Sequence, residues 1–228
     1  MVDSSVPLRR TKAIIFDFDG VILESADIKT RAFLELFAAY PQHQSAIQRY
    51  HLQNLGVSRY DKFAWIYREL LGKPFTAAER ERLGSAFSTL VLEHVLRCPF
   101  VPGALETLQA LHHQRLVFVA SGSPQEELEL IVRRRGLSSY FTEVWGTPLK
   151  KEQIILRILE RFGLHREEVL FVGDGLSDYQ AAMATGIQFL ARVTPEAQQR
   201  WQELGVPRAD DLRQICSLIG IAHRAELA

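Results

Sequence analysis

Ala13-Ile14-Ile15-Phe16-Asp17-Phe18-Asp19-Gly20 is the stretch that decides the fold. Four apolar residues stand in a row and give way at once to acids and a glycine. A run that is apolar without alternating fits a strand buried on both faces, as in a parallel sheet covered by helices. Similar runs recur at Leu116 to Ala120, Val169 to Val172 and Ile187 to Val193, with a weaker one at Glu143 to Gly146. Helical patterns separate the later runs. Leu105, Leu108 and Leu111 share a face within 102–113. Leu128, Ile131 and Val132 do so within 125–135, which stops at Gly136. Ile154, Ile155, Ile158, Leu159 and Phe162 repeat the pattern before Gly163. The β–α alternation predicts an α/β fold, a doubly wound parallel sheet of Rossmann-like form.

Residues 25–98 break the alternation. Ile28, Ala32, Phe33, Leu36 and Phe37 form one helical face, and Tyr60, Phe63, Ala64, Tyr67, Leu70 and Leu71 another. Thr76 with Glu79 reads as a capping box opening a third helix. The expected organisation is an α/β core from 11–24 and 99–228, an inserted helical cap from 25–98, and a frayed tail over 1–10. Pro99, Pro102 and the turn after Gly20 are candidate hinges.

Composition narrows the function classes. The 228 residues are 47% hydrophobic and 24% charged, with 27 basic and 27 acidic side chains. That balance argues against a nucleic-acid partner. No apolar run is long enough to span a bilayer, and no signal-peptide core precedes Asp17. Cys98 and Cys216 match no zinc spacing. The expectation is a soluble, cytoplasmic monomer.

In open α/β sheets, ligands bind beyond the carboxyl ends of the strands. Those ends carry Asp17 and Asp19, then Ser121-Gly122-Ser123, then Lys150 and Lys151, then Gly173-Asp174-Gly175 with Asp178 a turn later. Converging carboxylates need a cation, and Mg²⁺ suits oxygen ligands beside a substrate phosphate. Gly20 and Gly122 let backbone N–H groups approach an anion. Ser123-Pro124 reads as an N-cap with proline at the first helical position. Lys150 and Lys151 open a helix, where the macrodipole disfavours cations unless an anion or carboxylates stand close.

Asp17-Phe18-Asp19-Gly20-Val21, Ser121, a lysine and Gly173-Asp174-x-x-x-Asp178 resemble the four motifs of the haloacid dehalogenase superfamily, in that family's order. The helical insert resembles the C1 cap of its phosphoglycolate phosphatase and β-phosphoglucomutase group. The resemblance implies a phosphoric monoester hydrolase, a Mg²⁺-dependent phosphatase of a small phosphorylated metabolite: a sugar phosphate, a sugar-acid phosphate or phosphoglycolate. Asp17 would be the nucleophile that forms an aspartyl phosphate, and Asp19 the general acid and base. Ser121, with the backbone N–H that follows it, would hold phosphate oxygens. A lysine, Lys151 by preference over Lys150, would stabilise Asp17 and the phosphoryl charge. Asp17, the carbonyl of Asp19, Asp174 and Asp178 would hold the metal, Asp178 through water or by orienting its partners.

In the cap, Gly56-Val57-Ser58-Arg59 resembles a β-phosphoglucomutase segment whose arginine contacts substrate phosphate. Arg59 and Lys62 sit near a helix start that Ser58 caps, a poor place for cations without a ligand, so both are candidate substrate contacts. His51 reads as a satisfied structural histidine. Lys29 stands where the mutases place a histidine, which favours hydrolysis over a mutase. A phosphoacceptor signalling domain is a third reading, opposed by the insert and by Asp19.

Overall fold

The computed structural model describes residues 8–194 and 197–221. Six strands form one parallel sheet: β1 (Ala13–Phe16), β2 (Leu116–Pro124), β3 (Glu143–Thr147), β4 (Val169–Gly173), β5 (Gln188–Arg192) and β6 (Arg208–Ala209). The order is β3-β2-β1-β4-β5-β6. β1 therefore lies at the centre, and the order reverses between β1 and β4, where a crevice opens beyond the strand ends.

Side chains alternate across a strand, and the core divides accordingly. Ile14 and Phe16 of β1 pack on one face with Val117, Val119, Leu170 and Val172. Helices α5 (Ala104–Leu111), α6 (Gln125–Arg134) and α10 (Arg213–Leu218) cover that face through Leu108, Leu128 and Ile215. Ala13 and Ile15 point the other way, with Phe118 and Phe171. There α7 (Lys151–Phe162), α8 (Leu176–Thr185) and α9 (Gln198–Glu203) contribute Ile154, Ala181 and the fully buried Trp201. Burying each large side chain contributes about 1.5–3 kcal/mol relative to leaving it in water.

The insert is helical: α1 (Ala26–Leu36), α2 (Gln44–Gln53), α3 (Arg59–Trp65) continuing into a π turn at Ile66–Leu70, and α4 (Ala77–Arg97). Its centre is aromatic, with the Phe33 ring 4.8 Å from Phe87 and 5.4 Å from Phe63. Such pairs add to plain area burial. Thr76 caps α4 by accepting from the Glu79 backbone N–H at 3.3 Å. The Glu79 carboxylate instead accepts from Tyr67 Oη at 2.6 Å and pairs with Arg82, so only one half of the expected box is bonded this way.

The two linkers run side by side. Glu24 N–H donates to Pro99 O at 3.0 Å, and Val101 N–H to Ile22 O at 3.0 Å. Arg135 closes the end of α4 by donating to the carbonyls of Leu96 at 2.9 Å and Cys98 at 2.7 Å. At the amino end, Leu8 is buried and Leu8–Arg10 forms a 3-10 turn, although these residues lie within the tail expected to fray. Residues 1–7 lie outside the described part. Among the described residues, no helix is long and apolar enough to cross a membrane.

Candidate active site

The alternation that buries Phe16 carries on past the end of β1. Phe18 turns into the core on the same side. Asp17 is left at the crevice, 1% exposed. Its Oδ1 accepts from the Phe18 N–H at 2.6 Å, and its Oδ2 accepts from Lys151 Nζ at 3.0 Å. Lys151, the first residue of α7, also pairs with Asp178. Lys150 is exposed, and its backbone N–H donates to Gln153 Oε1 at 2.9 Å. Of the two lysines, Lys151 is the one that reaches the acids. Burial works to lower its pKa, but the Asp17 and Asp178 carboxylates outweigh that and hold it above the ordinary lysine value.

Asp17, Asp174 and Asp178 each offer a carboxylate oxygen within 4.8 Å of the others, and all three residues are buried. Burial first, then the neighbouring Asp17 and Asp178 charges, push the Asp174 carboxyl well above its usual range. Burial also pushes Asp178 up to about 7, against the pull of Lys151. Asp174 Oδ1 is buried without a hydrogen-bond partner. A crowded, partly unpartnered set of oxygen donors fits a hard divalent cation. The packing is so close that a Cβ on Gly20 (φ +76°) would run into Asp174 Oδ2.

The Asp19 side chain turns away from this triad and lies under the cap. Its Oδ1 accepts from Ser25 Oγ at 2.6 Å, and its Oδ2 accepts from Ser123 Oγ at 3.0 Å and from Lys29. Lys29 Nζ also donates to Ser123 Oγ at 2.8 Å. Burial would raise the Asp19 pKa, but Lys29 and the two hydroxyls reverse that and lower it. Lys29 thus touches an acid of the site itself. Ser123 is not the N-cap the sequence suggests. β2 stays extended through Pro124 with a shift of register after Ala120, and α6 begins at Gln125. The extension frees the Ser123 hydroxyl for Asp19. Ser121 is buried, and its Oγ accepts from the Ser123 N–H at 3.1 Å.

The cap loop before α3 enters the cleft. A Cβ on Gly56 (φ +77°) would lie 2.6 Å from Lys151 Nζ and 2.5 Å from Ser177 Oγ, and one on Gly122 would lie 2.5 Å from Gly56 O. Only glycines permit this approach of backbone to site. Ser177 Oγ donates to Leu55 O at 2.8 Å and ties the loop to the core. Ser58 caps α3 by accepting from the Tyr60 N–H at 3.3 Å.

Arg59, expected to await a substrate anion, already has a carboxylate. Its two terminal nitrogens donate to Glu127 of α6 at 2.9 and 2.5 Å, and one also donates to Ser88 Oγ at 2.9 Å. The pair is nearly sealed from solvent and joins cap to core. Glu127 sits in the first turn of α6, where an acid is favoured, and supplies the anion that Arg59 needs at the start of α3. Lys62 is 3% exposed, and its Nζ lies 3.1 Å from His51 Nδ1. His51 is not fully satisfied, because its Nε2 is buried without a partner. A narrow cleft with a cavity volume of about 50 Å³ brings Asp17, Asp19 and Asp174 opposite Lys29, His51 and Lys62.

Sequence reasoning missed Glu127, Ser177 and Arg192. Arg192 of β5 donates to Gly20 O at 3.2 Å and to Glu24 Oε1 at 2.5 Å, bracing the turn after β1. An arginine directly after the apolar Phe189, Leu190 and Ala191 was the available signal.

Known proteins are similar to this chain in sequence and in fold. A phosphorylated carbohydrates phosphatase of Thermotoga maritima is 27% identical over 187 residues, covering 78% of this chain and 82% of its own. A phosphoglycolate phosphatase of Synechococcus elongatus is 28% identical over 184 residues, covering 77% and 81%. The fold superposes on a haloacid dehalogenase-like hydrolase of Bacteroides fragilis with a TM-score of 0.70 at 21% identity, over 90% of this chain and 99% of that one. It also superposes on the L-2-haloacid dehalogenase of Xanthobacter autotrophicus with a TM-score of 0.60 at 19% identity, over 92% and 98%. The family model for haloacid dehalogenase-like hydrolases matches residues 11–186, from the first residues before β1 to the end of α8, and the chain belongs to that family.

Proposed function

We propose that this chain is a Mg²⁺-dependent phosphatase of a small phosphorylated metabolite, a sugar phosphate, sugar-acid phosphate or phosphoglycolate, acting as a cytoplasmic monomer. The observation that carries the reading is the placement of two acids two residues apart in different surroundings. Asp17 faces Lys151 and the acidic triad, whereas Asp19 faces two hydroxyls and Lys29 beneath the cap. Two carboxylates with different partners suit two different tasks.

An Asp17 oxygen attacks phosphorus, and the bond from phosphorus to the leaving oxygen breaks. Lys29 holds Asp19 as a carboxylate in the empty cleft, so Asp19 first takes up a proton from solvent as substrate displaces that pair, then hands it to the leaving oxygen. Asp19 then takes a proton from water as the water attacks the aspartyl phosphate, which releases phosphate and restores Asp17. Lys151 holds Asp17 in position and offsets charge on the phosphoryl oxygens, while Ser121 and the backbone N–H groups beside Gly122 receive those oxygens. Asp17, Asp174, Asp178 and the Asp19 carbonyl would hold Mg²⁺, which when bound neutralises phosphoryl charge. Gly56 and its neighbours exclude bulk water from Asp17.

Phosphate release from a panel of phosphorylated metabolites, with Mg²⁺ and with EDTA, tests the reading. Release that needs the metal is expected. Absence of release from every compound would overturn it. Isomerisation without net release would point to a mutase, and a lasting phosphoprotein without turnover to a phosphoacceptor domain.

A further inference from the structure

Three cations of the cap line the cleft: Lys29, Arg59 and Lys62. Lys29 is paired with Asp19 and Arg59 with Glu127. Lys62 is different. Among the described residues no carboxylate pairs with it, although it is 3% exposed. Its neighbours are an imidazole nitrogen at 3.1 Å and the Phe33 ring, whose centroid is 5.5 Å from Nζ. A buried cation without an anion is costly, and a fold that keeps one beside a cavity has a place for an anion there.

We infer that Lys62, held in place by His51, is the receptor for a carboxylate on the substrate, so that the enzyme selects phosphorylated hydroxy acids over phosphorylated neutral alcohols. The inference rests on the phosphatase reading and narrows its substrate class.

The chemistry favours one negative charge over two. Burial, then Lys62 and Lys29, push the His51 pKa well below its usual value, so the imidazole is neutral and brings no charge. With Lys29 and Arg59 already paired, the cap offers a single uncompensated positive charge, which suits a carboxylate. A second phosphate group would bring more negative charge than Lys62 can balance. Lys62 also feels Lys29 and Lys151 as like charges and Asp174 and Asp19 as opposite ones, and burial outweighs them all, lowering its pKa to about 7 in the empty cleft. A substrate carboxylate would favour the ammonium form. When Lys62 donates to Nδ1, the ring proton sits on Nε2, the nitrogen without a partner. The aromatic side chains Phe33 and Phe87 line the same cleft.

The test compares 2-phosphoglycolate with 2-hydroxyethyl phosphate, which keeps the carbon chain and replaces the carboxylate by an alcohol. Both are measured with the wild-type chain and with Lys62→Met. Loss of a charge-assisted contact predicts a fall of about 10- to 100-fold in kcat/KM for phosphoglycolate. The rate on 2-hydroxyethyl phosphate should change by less than about threefold, since the contact that is lost is one only a carboxylate makes. An equal fall on both substrates would overturn the inference, as would a wild-type preference for the neutral alcohol or for a bisphosphate.

Calorimetry in EDTA, with phosphoglycolate as the probe, reads the contact without turnover. Weaker binding in Lys62→Met supports the inference, and unchanged binding overturns it. That arm still decides the matter if no substrate is hydrolysed, an outcome that would sink the phosphatase reading alone. Should Lys62→Met fail to fold, Lys62→Gln repeats both measurements.

Discussion

The two walls of the cleft are electrostatic opposites. On the core wall, Asp17, Asp174 and Asp178 crowd around a single lysine, and one carboxylate oxygen has no partner. On the cap wall, Lys29, Arg59, Lys62 and His51 gather, and one lysine has no acid. Each wall is incomplete in the opposite sense. The core lacks a cation beyond Lys151, and the cap lacks an anion beyond those that Asp19 and Glu127 lend it. On the proposed reading, a phosphorylated substrate with its metal would supply both, so that the core would carry the chemistry and the cap would read what is attached to the phosphate. Where the core holds its acids together with backbone turns, the cap meets the core through long-range side-chain contacts: Lys29 with Asp19, Arg59 with Glu127, and Leu55 O with Ser177 Oγ.

The strongest way to break this contrast is to remove the nucleophile from the core wall. Asp17→Asn keeps the shape and the bond to the Phe18 N–H but gives up the attacking charge. Turnover should fall by about 10⁴-fold or more, as for other covalent nucleophiles. Phosphoglycolate binding, measured by calorimetry, should persist, because the cap wall is untouched. Residual turnover within tenfold of wild type would mean that Asp17 is not the nucleophile.

A smaller effect is expected where the walls join. Glu127→Gln leaves Arg59 buried against a neutral amide, and loss of one partner of a sealed pair is costly. The cap can answer by swinging open, so the loss should appear in kcat/KM, by about 10- to 100-fold, more than in the thermal midpoint. The companion variant Arg59→Met separates two roles. If Arg59 only docks the cap, the double variant loses no more than the worse single one. An additional loss specific to doubly anionic substrates would restore the direct substrate contact that the sequence suggests for Arg59.

The same contrast explains which parts were legible in the sequence. The core wall is written locally. An apolar run ending in Asp17-Phe18-Asp19-Gly20, and a second ending in Gly173-Asp174-Gly175, place acids at strand ends by period alone. Lys150 and Lys151 both stand where a helix start calls for nearby acids, so that argument did not separate them, and the preference for Lys151 came from the family resemblance. The cap wall is written in pairs far apart along the chain. Arg59 and Glu127 are 68 residues apart, and Lys29 and Ser123 94 apart. No spacing rule links such positions, so Arg59 could be recognised as needing an anion but not as having one within the protein. Ser123 was misread for a related reason. Ser-Pro before a helix is a capping signal, yet the strand's continuation to Pro124 overrides it. The edge of the sheet escaped notice because β6 spans only Arg208–Ala209. A two-residue strand has too few positions to show a period.

The smallest effect follows from the cost of the unpaired lysine. Burial lowers the Lys62 pKa from 10.5 to about 7 in the folded, empty chain. Between those two values the unfolded chain holds a proton at this site that the folded chain does not, so the lysine's contribution to stability improves as pH rises from about 7 to 10.5. Below about 7 both states are protonated, and the full penalty is present. A tenfold loss of proton affinity on folding corresponds to about 1.4 kcal/mol. Partial opening of the cap can hydrate the lysine without unfolding the core, which limits the penalty to what opening costs. Lys62→Met keeps the apolar stem and removes the charge. A net gain of about 1 kcal/mol, or roughly 2–4 °C in the thermal midpoint, is expected at pH 7. Near pH 10 the gain should shrink toward zero, because the wild-type lysine is then neutral when folded. A variant destabilised equally at both pH values would mean that Lys62 is held by packing and carries no charge penalty. It would also remove the reason for a substrate carboxylate at that wall. A variant more stable and less selective would show the cap keeping an unfavourable charge in the empty cleft for the substrate to neutralise.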